Sequence, residues 1–304
     1  MKEARGATGL HRPWLVAIAI CVVVLAVTAM GARRLSEAAP TRPQAVPPAP
    51  TPQPSQSPPP PQFRLPAAKW RLTWSDEFKG KGTPAKWTPL TGGDGWSHKA
   101  LQYYTRANAK KDGRGNLVIS ATRTKQPGGP RCWYGPCQYS SARLQTATSF
   151  SQAYGRFSAR IRLPKGQGLW PAFWLQRVDA GLVGKSTYGE IDVIETIGAQ
   201  ADVVRGYAHG LKHKGGGIWR LPQPADVGDY HVYGVDWTPQ SITWWVDGMP
   251  YAQFQKYAGW PFTKPFFLIL NLQVGGEWPG SPDVTTRFPA HMTVDWIRVY
   301  RASS

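Results

Sequence analysis

The run Tyr188-Gly189-Glu190-Ile191-Asp192-Val193-Ile194-Glu195-Thr196 sets three acids among β-branched residues. Burying unpaired carboxylates is costly, so this is not an ordinary core strand. On a regular strand Glu190 and Asp192 share one face and Glu195 falls on the other. One inserted residue, a β-bulge around Val193-Ile194, returns Glu195 to their side. The three carboxyls then point into one groove. Two glutamates leaning over a central aspartate can approach to the roughly 5–5.5 Å that configuration-retaining sugar hydrolysis requires. Their repulsion raises the proton affinity of one, which is the state a general acid needs near neutral pH. A cation site or a solvent-facing acidic strand would read the same way from this stretch alone.

A second stretch separates these readings. In Trp170-Pro171-Ala172-Phe173-Trp174-Leu175, alternation puts Trp170, Ala172 and Trp174 on one face and Phe173 and Leu175 on the other. Two indoles with a small residue between them form a flat platform, and sugar rings present flat C–H faces to such surfaces. Phe173 and Leu175 already supply core side chains, so the indoles are free to bind.

The elements that must carry these residues are strands. Phe157, Ala159, Ile161 and Leu163 alternate with Arg156, Ser158, Arg160 and Arg162, the pattern of a half-buried strand. Ile242, Trp244 and Val246 alternate with Thr243 and Trp245, and Asp247-Gly248 follows as a tight hairpin turn. Near the C-terminus Val294, Trp296, Arg298 and Tyr300 interleave with Thr293, Asp295, Ile297 and Val299. Turn clusters are expected at Gly92-Gly93-Asp94-Gly95, Asp112-Gly113-Arg114-Gly115, Lys214-Gly215-Gly216-Gly217 and Thr238-Pro239. Many short strands with Gly/Pro turns imply an all-β sandwich or barrel.

These elements occupy only part of the 304 residues. Fourteen of the fifteen tryptophans lie after residue 66, so the chain divides into a basic segment (1–12), an apolar span (13–32), a Pro-rich linker (33–66) and one domain (67–304). Trp14 to Ala32 is uncharged and mostly aliphatic, and nineteen helical residues reach roughly 28 Å, close to a bilayer core of about 30 Å. It reads as a membrane anchor or a signal peptide, with Ala29-Met30-Gly31 as the cleavage candidate. Either puts the domain outside the cytoplasm, secreted or at the cell surface. The prolines of the linker favour extended polyproline II, a semi-rigid spacer. Outside the cytoplasm Cys132 and Cys137 of the domain, with a Gly-Pro turn between them, are expected to close a disulfide loop. Of the formal charge of +18, seven basic and two acidic residues before position 67 leave +13 for the domain. Such a field favours anionic partners, among them acidic cell-wall polymers. No recognition helix or single-strand-binding signature accompanies it, which argues against nucleic acid.

From about Trp70 to Tyr300 the chain resembles glycoside hydrolase family 16, in particular its laminarinase-like β-1,3-glucanases. The resemblance runs through Trp74-Ser75-Asp76-Glu77-Phe78, Leu101-Gln102-Tyr103-Tyr104-Thr105 and Gly115-Asn116-Leu117-Val118-Ile119, then Tyr154-Gly155-Arg156-Phe157. It continues through Gly168 to Trp174 and Gly189 to Glu195, then Val235-Asp236-Trp237-Thr238-Pro239, Asn271 to Gly280, and Val294 to Tyr300. It implies a β-jelly-roll of two stacked antiparallel sheets with a substrate cleft on the concave face. Glu190 would be the nucleophile, Glu195 the general acid/base, and Asp192 would position and tune the nucleophile. Trp170, Trp174, His209, Asn271 and Trp278 would line the cleft. The chemistry would need no cofactor. Many relatives carry a structural calcium held by two backbone carbonyls and an aspartate, which here would be Glu77, Gly115 and Asp295.

Two departures touch recognition. Laminarinase-like members usually read Gly-Trp-Gly-Asn-Asn-Glu where this chain has Gly95-Trp96-Ser97-His98-Lys99-Ala100, and Gln273 stands where a small residue is common. The expected substrate is a β-1,3- or mixed-linkage glucan, with an acidic or sulfated galactan as the alternative. A transglycosylase shares the same covalent intermediate. A non-catalytic glycan-binding sandwich would have no need of both glutamates.

Overall fold

A computed structural model describes residues 63–96, 98–124, 129–180 and 189–303. The segments expected at 1–12 and 13–32, and linker residues 33–62, lie outside the described residues. Among the described residues no helix is long and apolar enough to cross a membrane.

Nearly all the described strands form two stacked sheets that stay unclosed, a β-jelly-roll sandwich, and Arg131–Cys132 pairs with Gly135–Pro136 as a separate two-stranded ribbon. Nearly every pairing is antiparallel; Gln102–Tyr104 beside Tyr139–Ser141 is parallel. Among the described residues the smaller sheet has seven strands. In spatial order they are Lys214–Arg220, Val203–Gly210, Gly189–Glu195, Leu169–Arg177, Phe266–Val274, Arg143–Gln145 and Thr88–Leu90. The larger sheet is centred on Gly155–Arg162, which pairs with His231–Trp237 on one side and Ala290–Ala302 on the other. Trp70–Asp76 joins the latter strand.

Alternation decides which side chains meet between the sheets. Phe173, Leu175 and Ile191 from the smaller sheet and Phe157, Ala159, Ile161, Val235 and Val299 from the larger are all fully buried in one core. Each such aliphatic or aromatic side chain contributes about 1.5–3 kcal/mol by leaving water. Asp247 and Gly248 both have positive φ, 49° and 81°, the conformation of a type I′ hairpin turn. The turns at Asp112–Gly115 and Thr238-Pro239 also fall between strands.

Two expectations are corrected. Lys214-Gly215-Gly216-Gly217 is not a turn but the start of the strand Lys214–Arg220. Its glycines answer to close packing: a Cβ on Gly215 would lie 2.1 Å from the Phe254 ring, and one on Gly216 2.1 Å from the Gly206 carbonyl oxygen. The C-terminal strand does not alternate through its length. Against Gly155–Arg162 the register slips so that Arg160 faces Trp296 and Ile161 faces Val294, leaving Asp295 as an extra residue. Val294 on one side of the bulge and Ile297 and Val299 on the other therefore all reach the core.

Candidate active site

Gly189–Glu195 lies between Leu169–Arg177 and Val203–Gly210. Along the first neighbour Phe173 faces Ile194 and Trp174 faces Asp192; along the second Tyr207 faces Asp192 and Arg205 faces Glu195. Both registers skip a residue between Asp192 and Glu195, so the strand carries a bulge at Val193-Ile194. Val193 and Ile194 are buried, and Glu190, Asp192 and Glu195 line one cleft of about 730 Å³. The bulge is held from beneath. Trp244, from the other sheet, donates its Nε1–H to the Asp192 carbonyl at 2.8 Å. Gly206 makes room for that indole, since a Cβ there would lie 2.1 Å from Trp244 Cδ1.

The three acids have unequal surroundings. Burial, then the charge of Glu190, raises Asp192 well above the carboxylate range. His209 Nε2 lies 3.1 Å from Asp192 Oδ2, and burial lowers the proton affinity of that imidazole. A neutral histidine therefore abuts a carboxyl that tends to keep its proton. Glu195 is pushed up to about 8, by burial first and then by Asp192, with Glu190 adding to it. Trp170 Nε1–H donates to Glu195 Oε2 at 3.2 Å. The result is a protonated, oriented carboxyl on the same strand and the same side as a second glutamate, the pairing that acid-assisted displacement at an acetal carbon needs.

The cleft walls are aromatic. Trp170 meets Trp278 edge-on, centroids 4.8 Å apart at 82°, and His98 lies 5.3 Å from Trp170. Trp174 donates Nε1–H to Asn271 Oδ1 at 2.7 Å, and the Arg143 guanidinium lies 4.8 Å from its ring centroid. The flat platform expected of Trp170 and Trp174 is thus divided: Trp170 builds a wall with Trp278, while one side of Trp174 is taken by Arg143. Gln273 lines the cleft and donates Nε2–H to the Gly275 carbonyl at 3.1 Å. Trp170, Trp174, His209, Asn271 and Trp278 all border the same cleft as the acids. Arg143, Arg205, Tyr207 and Lys214 border it too, and nothing in residue type or spacing marked them. Strand parity relative to His209 could have found Arg205 and Tyr207.

The rim at residues 92–101 is tied from outside. Cys132 and Cys137 form a disulfide, Cα atoms 5.0 Å apart. Within that loop Trp133 Nε1–H donates to the Ala100 carbonyl at 2.8 Å and the Tyr134 hydroxyl to the Leu101 carbonyl at 2.6 Å. Trp133 N–H reaches the Gly93 carbonyl at 2.8 Å.

Two places could concern metals. The ligand atoms of Glu190, Asp192 and His209 lie within 4.8 Å of one another; a cation there would occupy the same carboxyls that line the cleft. The residues expected to hold calcium lie at the far sheet, where Leu117 faces Val294 and Asp76 faces Ile297. Asp295 Oδ2 accepts from Arg160 Nη1 at 2.7 Å, and the Glu77 carboxylate takes both Nε–H and Nη2–H of Arg298 at 2.9 Å. Asp295, the one side-chain ligand expected, meets a guanidinium here, whereas Glu77 and Gly115 were expected to ligate through backbone carbonyls, and the Arg298 pair engages only the Glu77 side chain.

Residues 97–298 match the family described as Glycosyl hydrolases family 16. The beta-glucanase of Rhodothermus marinus is 41% identical over 257 residues, which cover 77% of this chain and 86% of that protein. Glucan endo-1,3-beta-glucosidase A1 of Niallia circulans is 34% identical over 260 residues, 76% of this chain but only 38% of that longer protein. Among solved structures, the endo-beta-1,3-glucanase of Pyrococcus furiosus aligns with a TM-score of 0.72 at 39% identity, over 80% of this chain and 98% of that one.

Proposed function

The chain belongs to glycosyl hydrolase family 16, and on that premise we infer that its cleft hydrolyses internal β-1,3 linkages of a β-glucan, with retention of configuration. The observation that carries this reading is the bulge that turns Glu195 onto the same cleft as Glu190.

Glu190 attacks the anomeric carbon, while Glu195, protonated at neutral pH because of its burial and its acidic neighbours, passes its proton to the departing oxygen. Trp170 Nε1–H holds the carboxyl for that transfer. Once Glu190 is esterified its charge is gone, and with it part of the repulsion on Glu195. Glu195 then takes a proton from water as the water opens the glycosyl-enzyme. Asp192, buried between Glu190 and His209, holds the nucleophile in place without itself reacting. Two carboxyls complete the cycle, so no cofactor takes part. Trp170, Trp278 and Trp174 receive the sugar rings.

The same reading puts the domain outside the cytoplasm, secreted or tethered through residues 13–32. The Cys132–Cys137 disulfide supports it, because such bonds persist in oxidising compartments.

The test is hydrolysis of laminarin by the full-length chain and by Glu190→Gln. Turnover should fall by at least about 10³-fold with the fold intact by circular dichroism, and the wild type should release the β-anomer first. A fully active variant, or inverted product, would overturn the assignment.

A further inference from the structure

Arg205 is a cleft cation with a donor that has no acceptor among the described residues. It lies across from Glu195 in the strand register and faces the cleft rather than the core. Its guanidinium is 5.4 Å from the Trp278 ring centroid, and Nη2–H donates to Gln200 Oε1. These contacts fix the plane of the group. Nη1 is buried and has no hydrogen-bond partner among the described residues. Burying a charged donor without an acceptor is costly, and native proteins rarely leave it so unless a ligand supplies the partner. Trp278 itself is 40% exposed and supplies an open aromatic surface beside that donor.

We propose that Arg205 and Trp278 form a subsite beside Glu195 for a sugar carrying an anionic substituent, whose oxygen meets the part-exposed Arg205 guanidinium while the ring rests on Trp278. The proposal rests on the glucanase reading and narrows its substrate to β-glucan bearing carboxylate, sulfate or phosphate groups. A planar guanidinium suits such oxyanions better than it suits a neutral hydroxyl. The neighbouring Glu195, held protonated at neutral pH, does not repel the incoming charge. On the neighbouring strand, opposite His209, Lys214 Nζ lies 4.0 Å from the Tyr207 centroid and keeps the field along this wall positive.

Two other roles are open to Arg205: general attraction by a basic surface, and tuning of Glu195. They are separated by comparing neutral laminarin with carboxymethylated laminarin of matched length. For Arg205→Gln the ratio of kcat/KM, anionic over neutral, should fall about tenfold, with part of the ratio recovered in Arg205→Lys. Arg71→Gln, which removes an exposed charge from the other sheet, should leave the ratio at the wild-type value. Raising salt from about 0.05 to about 0.5 M should narrow the wild-type ratio. An equal loss on both polymers in Arg205→Gln, or an equal fall in ratio for Arg71→Gln, would overturn the proposal. If neither polymer were hydrolysed, the glucanase reading would fail by itself. The ratio of dissociation constants, measured on Glu190→Gln with and without Arg205→Gln, would still decide the role of Arg205.

Discussion

A glutamic acid at position 195 can serve as a proton donor only below its own pKa. Burial and the adjacent Asp192 push that value up to about 8, so kcat/KM should fall on the alkaline side with a midpoint near there. Lys214 acts in the opposite direction on the same carboxyl. Replacing Lys214 by Met should therefore move the alkaline limb upward, as read from the pH profile of laminarin hydrolysis. A limb that stays put would separate Lys214 from the proton donor. Glu190, Asp192 and Glu195 were legible in the sequence because three acids among β-branched residues contradict a buried strand. Arg205 was not legible. It is one of 36 basic residues, and only the pairing of its strand with Gly189–Glu195 shows that it meets the cleft.

At the scale of the element, the bulge matters more than the strand. Its backbone is anchored by the Trp244 Nε1–H bond to the Asp192 carbonyl, which joins the two sheets. Trp244→Phe keeps an aromatic ring in place but leaves that carbonyl unpaired, a cost of about 1–3 kcal/mol before any loss of packing. Displacement of the acids should also lower kcat more than it alters KM, since Trp170 and Trp174 are carried by the neighbouring strand Leu169–Arg177 and not by the bulged one. Steady-state kinetics beside a denaturant titration would show this. Wild-type kcat in a destabilised variant would mean that the bulge supports itself. The kink could be inferred from the parity of Glu195, whereas its prop could not, because Trp244 and Asp192 lie 52 positions apart. The glycine strand at 214–217 failed for a related reason. Glycine marks a turn when its neighbours are solvent, but here it marks the close approach of Phe254 and of the Gly206 backbone.

Across the whole molecule the titrating groups pull in two directions. Burial works to raise Asp247, but hydrogen bonds from His231 and the Val232 N–H outweigh it and hold the carboxyl below its ordinary range. The stability it contributes is present above the unfolded carboxylate value and lost as pH falls through the folded one. His231 is raised by its bond to Asp247, a contribution present below about 6.5 and lost as pH rises through the folded value. Asp192 and Glu195 are also raised, so each costs stability increasingly above about 4.5. Thermal stability should accordingly peak in the mildly acidic range and decline toward pH 9. In Glu195→Gln that decline should be shallower, so its Tm advantage over the wild type grows between pH 5 and pH 9. An advantage independent of pH would contradict the burial of an ionisable group at 195. The all-β fold of the described residues was legible from its period-two strands and Gly/Pro turns. Residue type did not announce the Arg160 contact on Asp295, the one side-chain ligand expected for calcium on the far sheet.

The five-residue step from Cys132 to Cys137 has a consequence beyond local rigidity. The hairpin it closes grips the backbone at Gly93, Ala100 and Leu101, and through them the rim that carries Trp96 and His98. Reduction should leave that grip to a short, unclosed hairpin and so weaken the hold on the polymer, through a bond that never touches a sugar. An unchanged dissociation constant for laminarin on Glu190→Gln after reduction would show that the rim keeps its place unaided.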